Sequence, residues 1–233
     1  MIKESIEIGK IQDNEIKKET DEVAVEKSFR IKTSRGGEYR ASCTPGDLDE
    51  FTVGMLFARG DIQSIEEIKE IKISPETGEI YADLKAPSLF ENRNLKKEKM
   101  PDLLDKEALF SMAEEIFLNP GSLFSSTGCA HCCTFVSGEE TLCKIEDIGR
   151  HNALDKGIGY CLLKGIGLGT VTVFTTGRVS ADYMEKIIRS GIRTVVSRAA
   201  VTDAAVAAAR KHGITLYGFV RGRKGNQYSP AVF

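Results

Sequence analysis

The residue pattern predicts an α/β protein with a smaller α+β region in front of it, and three observations carry that prediction. Three strand-like runs, Thr170-Val-Thr-Val-Phe-Thr175, Arg193-Thr-Val-Val-Ser197 and Ile214-Thr-Leu-Tyr-Gly-Phe-Val220, alternate with two helix-length segments. That order requires right-handed crossovers and a parallel sheet. Earlier in the chain, two hairpin patterns flank a single amphipathic helix. Between these regions, Thr127-Gly-Cys-Ala-His-Cys-Cys-Thr134 leads directly into a third hairpin.

In chain order, the first twenty residues alternate charges with isolated isoleucines, which predicts a loosely held arm over 1–20. Val23, Val25, Phe29 and Ile31 keep a two-residue period, so Glu22 to Lys32 and Gly37 to Ser42 form strands about the Ser34-Arg-Gly-Gly37 turn. Thr44-Pro-Gly-Asp47 reads as a helix start, with Thr44 as the cap and proline at the first helical position. Leu48, Phe51, Thr52, Met55 and Leu56 share one face, and Gly60 closes the helix. Ile68 to Ile73 and Ile80 to Leu84 pair across Pro75-Glu-Thr-Gly78.

The lysine-rich stretch Glu91 to Lys99 marks a linker between a smaller α+β domain, 21–100, and an α/β domain, 101–233. In the second domain a short helix near Leu103 to Phe117 precedes strands at Cys133 to Ser137 and Thr141 to Ile145. The crossover helices run from Ala181 to Ser190, stopping at Gly191, and from Thr202 or Asp203 to His212-Gly213. Gly165-Ile-Gly-Leu-Gly169 precedes a strand, whereas a dinucleotide fingerprint follows one, so it is a connection.

The formal charge of −2 excludes a global basic field, so no nucleic-acid partner is expected and any anion site must be local. Met1-Ile-Lys-Glu-Ser-Ile-Glu-Ile lacks the apolar core of a secretion signal, and no apolar run approaches the roughly 20 residues of a membrane span. A cytoplasmic protein with no membrane partner is the expectation. In a reducing compartment the six cysteines are not a disulfide framework, and Cys43 and Cys161, set in apolar patterns, are small core residues.

Parallel strands end on one sheet edge, where loops and helix N-termini collect ligands. Those loops are Thr176-Gly-Arg-Val-Ser180, Arg198-Ala-Ala-Val-Thr202 and Arg221-Gly-Arg-Lys-Gly-Asn226. Arg178, Arg198 and Arg221, with Arg223 and Lys224, therefore converge on one edge, and a phosphate or pyrophosphate is the expected guest. No Gly-x-x-x-x-Gly-Lys-Ser/Thr loop is present, so a nucleotide there is held and not hydrolysed.

The cysteine cluster leaves three readings open. Cys129 and Cys132 have Cys-x-x-Cys spacing, suited to a nucleophilic or persulfide-carrying thiol with His131 as base or donor. Zinc is the second, with further ligands from Cys133, Cys143, His131 or His151, although no second Cys-x-x-Cys exists. The third is structural, which fits Cys133 as the start of an apolar strand. Nearby, Glu146-Asp-Ile-Gly-Arg-His-Asn-Ala-Leu-Asp-Lys156 crowds hydrogen-bonding groups, among them Arg150, His151 and Asn152, at a strand-to-helix junction. Such a run predicts a site wall or the polar network behind one.

That run, with Thr176-Gly-Arg178 and Gly218-Phe-Val-Arg-Gly222, resembles the formate dehydrogenase accessory protein FdhD family of sulfurtransferases. Thr44-Pro-Gly-Asp-Leu-Asp-Glu-Phe-Thr-Val-Gly54 through Gly60 is similar to the family's N-terminal motif. The resemblance implies a cytidine-deaminase-like C-terminal core behind a smaller domain. It also implies a task, relaying persulfide sulfur from a cysteine desulfurase to the molybdenum cofactor, bis-molybdopterin guanine dinucleotide, for formate dehydrogenase. The family's cofactor-binding segment corresponds to Phe219, Val220, Arg221, Gly222, Arg223 and Lys224, on the arginine-lined edge. Arg178, Arg198, Arg150, His151 and Asn152 complete the expected site for the guanine-nucleotide portion, and a homodimer is the expected assembly.

One departure matters. The family carries its sulfur on an upstream Cys-x-x-Cys, yet this chain has no cysteine between Cys43 and Cys129. Moreover, Thr127-Gly-Cys-Ala-His131 aligns with a family segment that reads Thr-Gly-Gly-x-His. This member has either moved its thiols or changed its task, and the first expectation is a sulfur carrier at Cys129 or Cys132, with His131 and His151 nearby. The alternative is a cofactor-binding chaperone whose cysteines are structural or hold a metal.

Overall fold

The chain opens on a feature its pattern hides. In the computed structural model, which describes residues 1–86 and 104–230, β1 (Lys3–Gln12) and β2 (Glu15–Ala24) form an antiparallel hairpin where a loose arm was expected. Asp13 and Asn14 both take positive φ, 51° and 64°, giving the two-residue turn whose twist suits paired strands. Neither face of the hairpin is well buried, so no apolar alternation marks it in the sequence. Its base is fixed by Lys3 Nζ, which donates to Glu22 at 2.6 Å and to Ser126 Oγ at 3.3 Å.

The predicted strand Glu22 to Lys32 is thus divided, and β3 (Lys27–Thr33) starts a second sheet. With β4 (Glu38–Cys43), β5 (Ile68–Ser74) and β6 (Glu79–Leu84) it forms the order β4-β3-β6-β5, in which only β3 and β6 are parallel. Between β4 and β5 runs α1 (Leu48–Arg59), buried from Phe51 through Ala58 and closed by Gly60. An all-round apolar helix needs cover on every side. α1 finds it between this sheet and α4 (Arg150–Leu163). A Cβ on Gly54 would stand 1.8 Å from Asp155 O, and one on Gly159 1.9 Å from Glu50 O, so the two helices cross backbone against backbone. The start of α1 differs from prediction. Asp47, at φ 52°, is the N-cap without a side-chain bond, and the Thr44 hydroxyl is engaged elsewhere.

The linker expected at Glu91 to Lys99 lies outside the described residues. Beyond it, α2 (Lys106–Leu118) is capped by Asp105, whose Oδ1 accepts from Ala108 N at 2.8 Å. A short α3 (Ser122–Thr127), absent from the sequence reading, leads to β7 (His131–Ser137) and β8 (Glu140–Asp147). After α4 come β9 (Val171–Thr175), α5 (Ala181–Ser190), β10 (Thr194–Ser197), α6 (Asp203–His212), β11 (Thr215–Arg221) and β12 (Lys224–Ser229). The strand order is β12-β11-β10-β9-β7-β8, with β9, β10 and β11 parallel as the pattern required. β12 corrects the expected Arg221 to Asn226 loop, for the chain turns tightly at Gly222 (φ 54°) and returns antiparallel. α4, α5 and α6 cover one face through Ile158, Ile187 and Ala205, continuous with the core under α1. On the other face Leu109, Ala113 and Phe117 of α2 pack on Val136, Phe174 and Val196.

Candidate functional site

At the edge where the parallel strands end, a cavity of about 590 Å³ opens. Its lining comes from six places: Phe124 of α3, the loop Gly128, Cys129 and Ala130 with His131, Ile148 after β8, Thr176 after β9, Arg198 and Ala199 after β10, and Arg221 at the end of β11. Topology led to the expectation of an anion site on this edge, and the structure brings Cys129 and His131 of the cysteine cluster to it. Among the described residues, no carboxylate lies within 4 Å of Arg178, Arg198 or Arg221.

The loop that presents Cys129 is held from both ends. Glu146 accepts from Leu123 N (3.0 Å) and Phe124 N (2.8 Å), fixing the first turn of α3. Gly121, at φ 118°, leaves the room for this, since a Cβ there would sit 2.2 Å from the Glu146 carboxyl carbon. At the other end Gly128 takes φ 66°, while Thr127 Oγ1 donates to Leu123 O (2.7 Å) and accepts from Cys129 N (3.0 Å). Cys129 is left exposed. Thr176 then pins the start of β7, accepting from Cys132 N at 2.9 Å and donating its own N–H to Cys132 O at 3.0 Å.

From His131 onward the backbone is a strand, and consecutive residues point to opposite faces. Cys132 shares the α2 face with Thr134, 3.7 Å from its sulfur, and is 3% exposed. Cys133 faces the other way, fully buried, with Sγ 3.6 Å from Tyr183 Oη. Burial pushes both thiols up, the Thr134 hydroxyl partly offsetting this for Cys132 and Tyr183 for Cys133. The three clustered cysteines are therefore dispersed, and Cys129 alone of them lines the cavity. Among the described residues no three His, Cys, Asp or Glu side chains converge to hold a metal ion. Cys43 and Cys161 are core residues, as expected, and burial raises the Cys43 thiol to about 12.

His131 is half-buried, and burial first, then the Arg150 and Arg178 charges, hold its imidazole below the usual 6.5. It is thus neutral at neutral pH and able to accept a proton. Arg178 is exposed beside His131 but does not line the cavity. Arg150 lies beneath Gly177, where a Cβ would be 2.8 Å from Arg150 Cβ, and its Nη2 donates to Ser180 Oγ at 3.3 Å. Its buried Nε has no partner among the described residues. His151 Nε2 is 3.0 Å from Asp182 Oδ2, and its ring is tilted against Tyr183, outside the cavity lining.

Several expected cofactor residues make bonds within the fold or lie outside the cavity lining. Asn152 Nδ2 donates to Ser42 O (2.7 Å) and Asp147 Oδ1 (3.0 Å), tying the junction to β4. Below it Lys156 Nζ meets Asp147 Oδ2 at 2.7 Å with neither side chain exposed, and donates to Thr44 O and Oγ1. The dense polar run is thus largely the network behind the site wall. In the segment Phe219 to Lys224 only Arg221 lines the cavity. Val220 is buried in the cluster under α2, Phe219 is exposed at φ 54°, Gly222 and Arg223 form the β11 to β12 turn, and Lys224 starts β12. Phe124, Ile148 and Thr176 were not singled out from sequence. Of these Thr176 carried a signal, because it directly follows a predicted strand on the ligand edge.

Residues 91–232 match the family described as FdhD/NarQ. The chain belongs to the FdhD/NarQ family. Relatives named sulfur carrier protein FdhD include one from Shouchella clausii, 31% identical over 98% of this chain and 95% of its own length. Another, from Bacillus subtilis strain 168, is 27% identical over 96% and 94%. A solved structure, described as "a putative formate dehydrogenase accessory protein from Desulfotalea psychrophila", superposes with a TM-score of 0.83 at 28% identity. It covers 99% of this chain and 98% of that one. No helix among the described residues is long and apolar enough to cross a membrane.

Proposed function

We propose that this protein carries sulfane sulfur on Cys129 and delivers it to a molybdenum cofactor of the bis-molybdopterin guanine dinucleotide type, in support of formate dehydrogenase. The observation that carries the reading is one shared cavity, in which an exposed thiol and a neutral imidazole sit beside two guanidiniums with no carboxylate partner among the described residues. Arg198 and Arg221 suit a pyrophosphate, Thr176 supplies a hydroxyl, and His131 takes the thiol proton as Cys129 is loaded. The relatives' names, sulfur carrier protein and formate dehydrogenase accessory protein, support the same direction. A cysteine desulfurase in the cytoplasm is the proposed donor. In this reading the six-stranded sheet with α4, α5 and α6 is a cytidine-deaminase-like core, and two copies associate as a homodimer.

Incubation with a cysteine desulfurase and radiolabelled cysteine should label the native protein and the Cys132→Ala variant, but not Cys129→Ala. An unlabelled native protein overturns the reading. The burial of Cys132 and Cys133 favours a structural role for those two and supplies the one observation behind a second reading, a cofactor chaperone without sulfur transfer.

A further inference from the structure

Cys129 does not merely neighbour the anion-binding edge; its loop forms part of the same cavity wall as Arg198 and Arg221. Resting on the function proposed above, we infer that sulfur donor and guanine dinucleotide exclude each other at Cys129. The thiol is loaded while the cavity is empty and is covered once it is filled.

The loading step sets the requirement. The Cys129 thiolate attacks the outer sulfur of a donor persulfide, forming a new S–S bond as the donor's S–S bond breaks. The donor cysteine departs as thiolate, and no net electrons are gained or lost. Attack and departure lie along one line, so the donor must bring its sulfur into the cavity mouth. A pyrophosphate bridging Arg198, beyond β10, and Arg221, at the end of β11, occupies that approach, since both line the cavity with Cys129. No alternative route exists through Cys132 or Cys133, which are 3% and 0% exposed. The order of events is therefore fixed, with loading first and cofactor second. A filled cavity also shields the loaded sulfur from stray thiols until it is passed on.

The test uses GDP as the probe and the alkylation rate of Cys129 by iodoacetamide, followed by peptide mass spectrometry, as the readout. GDP affinity is measured separately by calorimetry. Cys143, partly exposed and outside the cavity lining, is the internal control. Mutual exclusion requires the Cys129 rate to fall by one plus the ratio of GDP concentration to Kd, about 100-fold at a hundred times Kd, with Cys143 unchanged. GDP binding that leaves Cys129 alkylation unaltered overturns the inference while leaving the proposed function intact. Absence of GDP binding removes the cofactor half of that function and the inference with it. In Arg221→Ala the protecting GDP concentration should rise in step with Kd. Protection persisting at the original concentration would place its cause elsewhere and also overturn the inference.

Discussion

Replacing Lys156 by Met probes the buried bond between the two halves of the chain. Lys156 and Asp147 are both fully buried and 2.7 Å apart. Around them, Asp147 accepts from Thr44 N (3.1 Å), Thr44 Oγ1 (2.8 Å), Gly149 N (2.9 Å) and Asn152 Nδ2 (3.0 Å), while Lys156 donates only to Thr44 O (3.0 Å) and Oγ1 (2.8 Å) besides. Breaking a buried pair by removing one member costs about 3–5 kcal/mol, because the survivor stays buried and uncompensated. Lys156→Met should fall near the lower end, since four donors still hold Asp147. Asp147→Leu should fall near the upper end, because it strands Lys156 and also the Thr44 and Gly149 N–H groups. The double variant should lose less than the sum of the two, since removing both charges removes the stranded one. Urea unfolding followed by circular dichroism measures all three. A Lys156→Met variant within about 1 kcal/mol of the native protein would falsify the claim that this pair joins β4 to the β8–α4 junction.

Gly54→Ala should destabilise the protein even though alanine favours helix by about 1 kcal/mol, because a Cβ 1.8 Å from Asp155 O forces α1 off α4. A rise in Tm would refute the close crossing. Burial holds the Asp155 carboxyl up at about 6, from 3.8, against the opposing pull of Lys186. Between those values the folded state binds more protons than the unfolded one, so this group's contribution to stability falls as pH rises. Asp155→Asn, which cannot ionise, should therefore gain on the native protein from about pH 4 to about pH 6, and a constant Tm difference across that window would count against it. Arg221→Ala should weaken GDP binding roughly 10–100-fold in calorimetry, the loss of one charge-assisted bond of about 1.5–3 kcal/mol, and unchanged affinity would move the anion site elsewhere.

The crossover half of the fold was legible because its signals are local. Gly191 and Gly213 end their helices in the left-handed conformation, and the Thr202 side chain caps α6, as the sequence indicated. The hairpin β1–β2 was not legible, since strands wet on both faces carry no apolar period, and β12 was not because Tyr228 is its one large apolar residue. At the site, Arg198 and Arg221 could be placed on one edge from topology, whereas their sharing a cavity with Cys129 and His131 is seen only in the structure. Cys132 could not be placed correctly while the strand was thought to begin at Cys133. Moving its start to His131 makes alternation alone turn Cys132 and Cys133 to opposite faces. The structural bonds of Asn152 were not legible, because its partners, Ser42 and Asp147, include one that is 110 residues away in sequence.

The dispersal of the three thiols bears on how long a charged molecule lasts. In a Cys-x-x-Cys whose sulfurs meet, the second thiol can collapse a persulfide into a disulfide and release sulfide. Here the nearest thiols in sequence are sealed into opposite faces of a strand, so Cys129 has no companion to discharge it. Sulfur placed on such a residue leaves only when an outside acceptor arrives. On the function proposed above, the chain would act as a reservoir, and the timing of release would belong to whatever comes to collect.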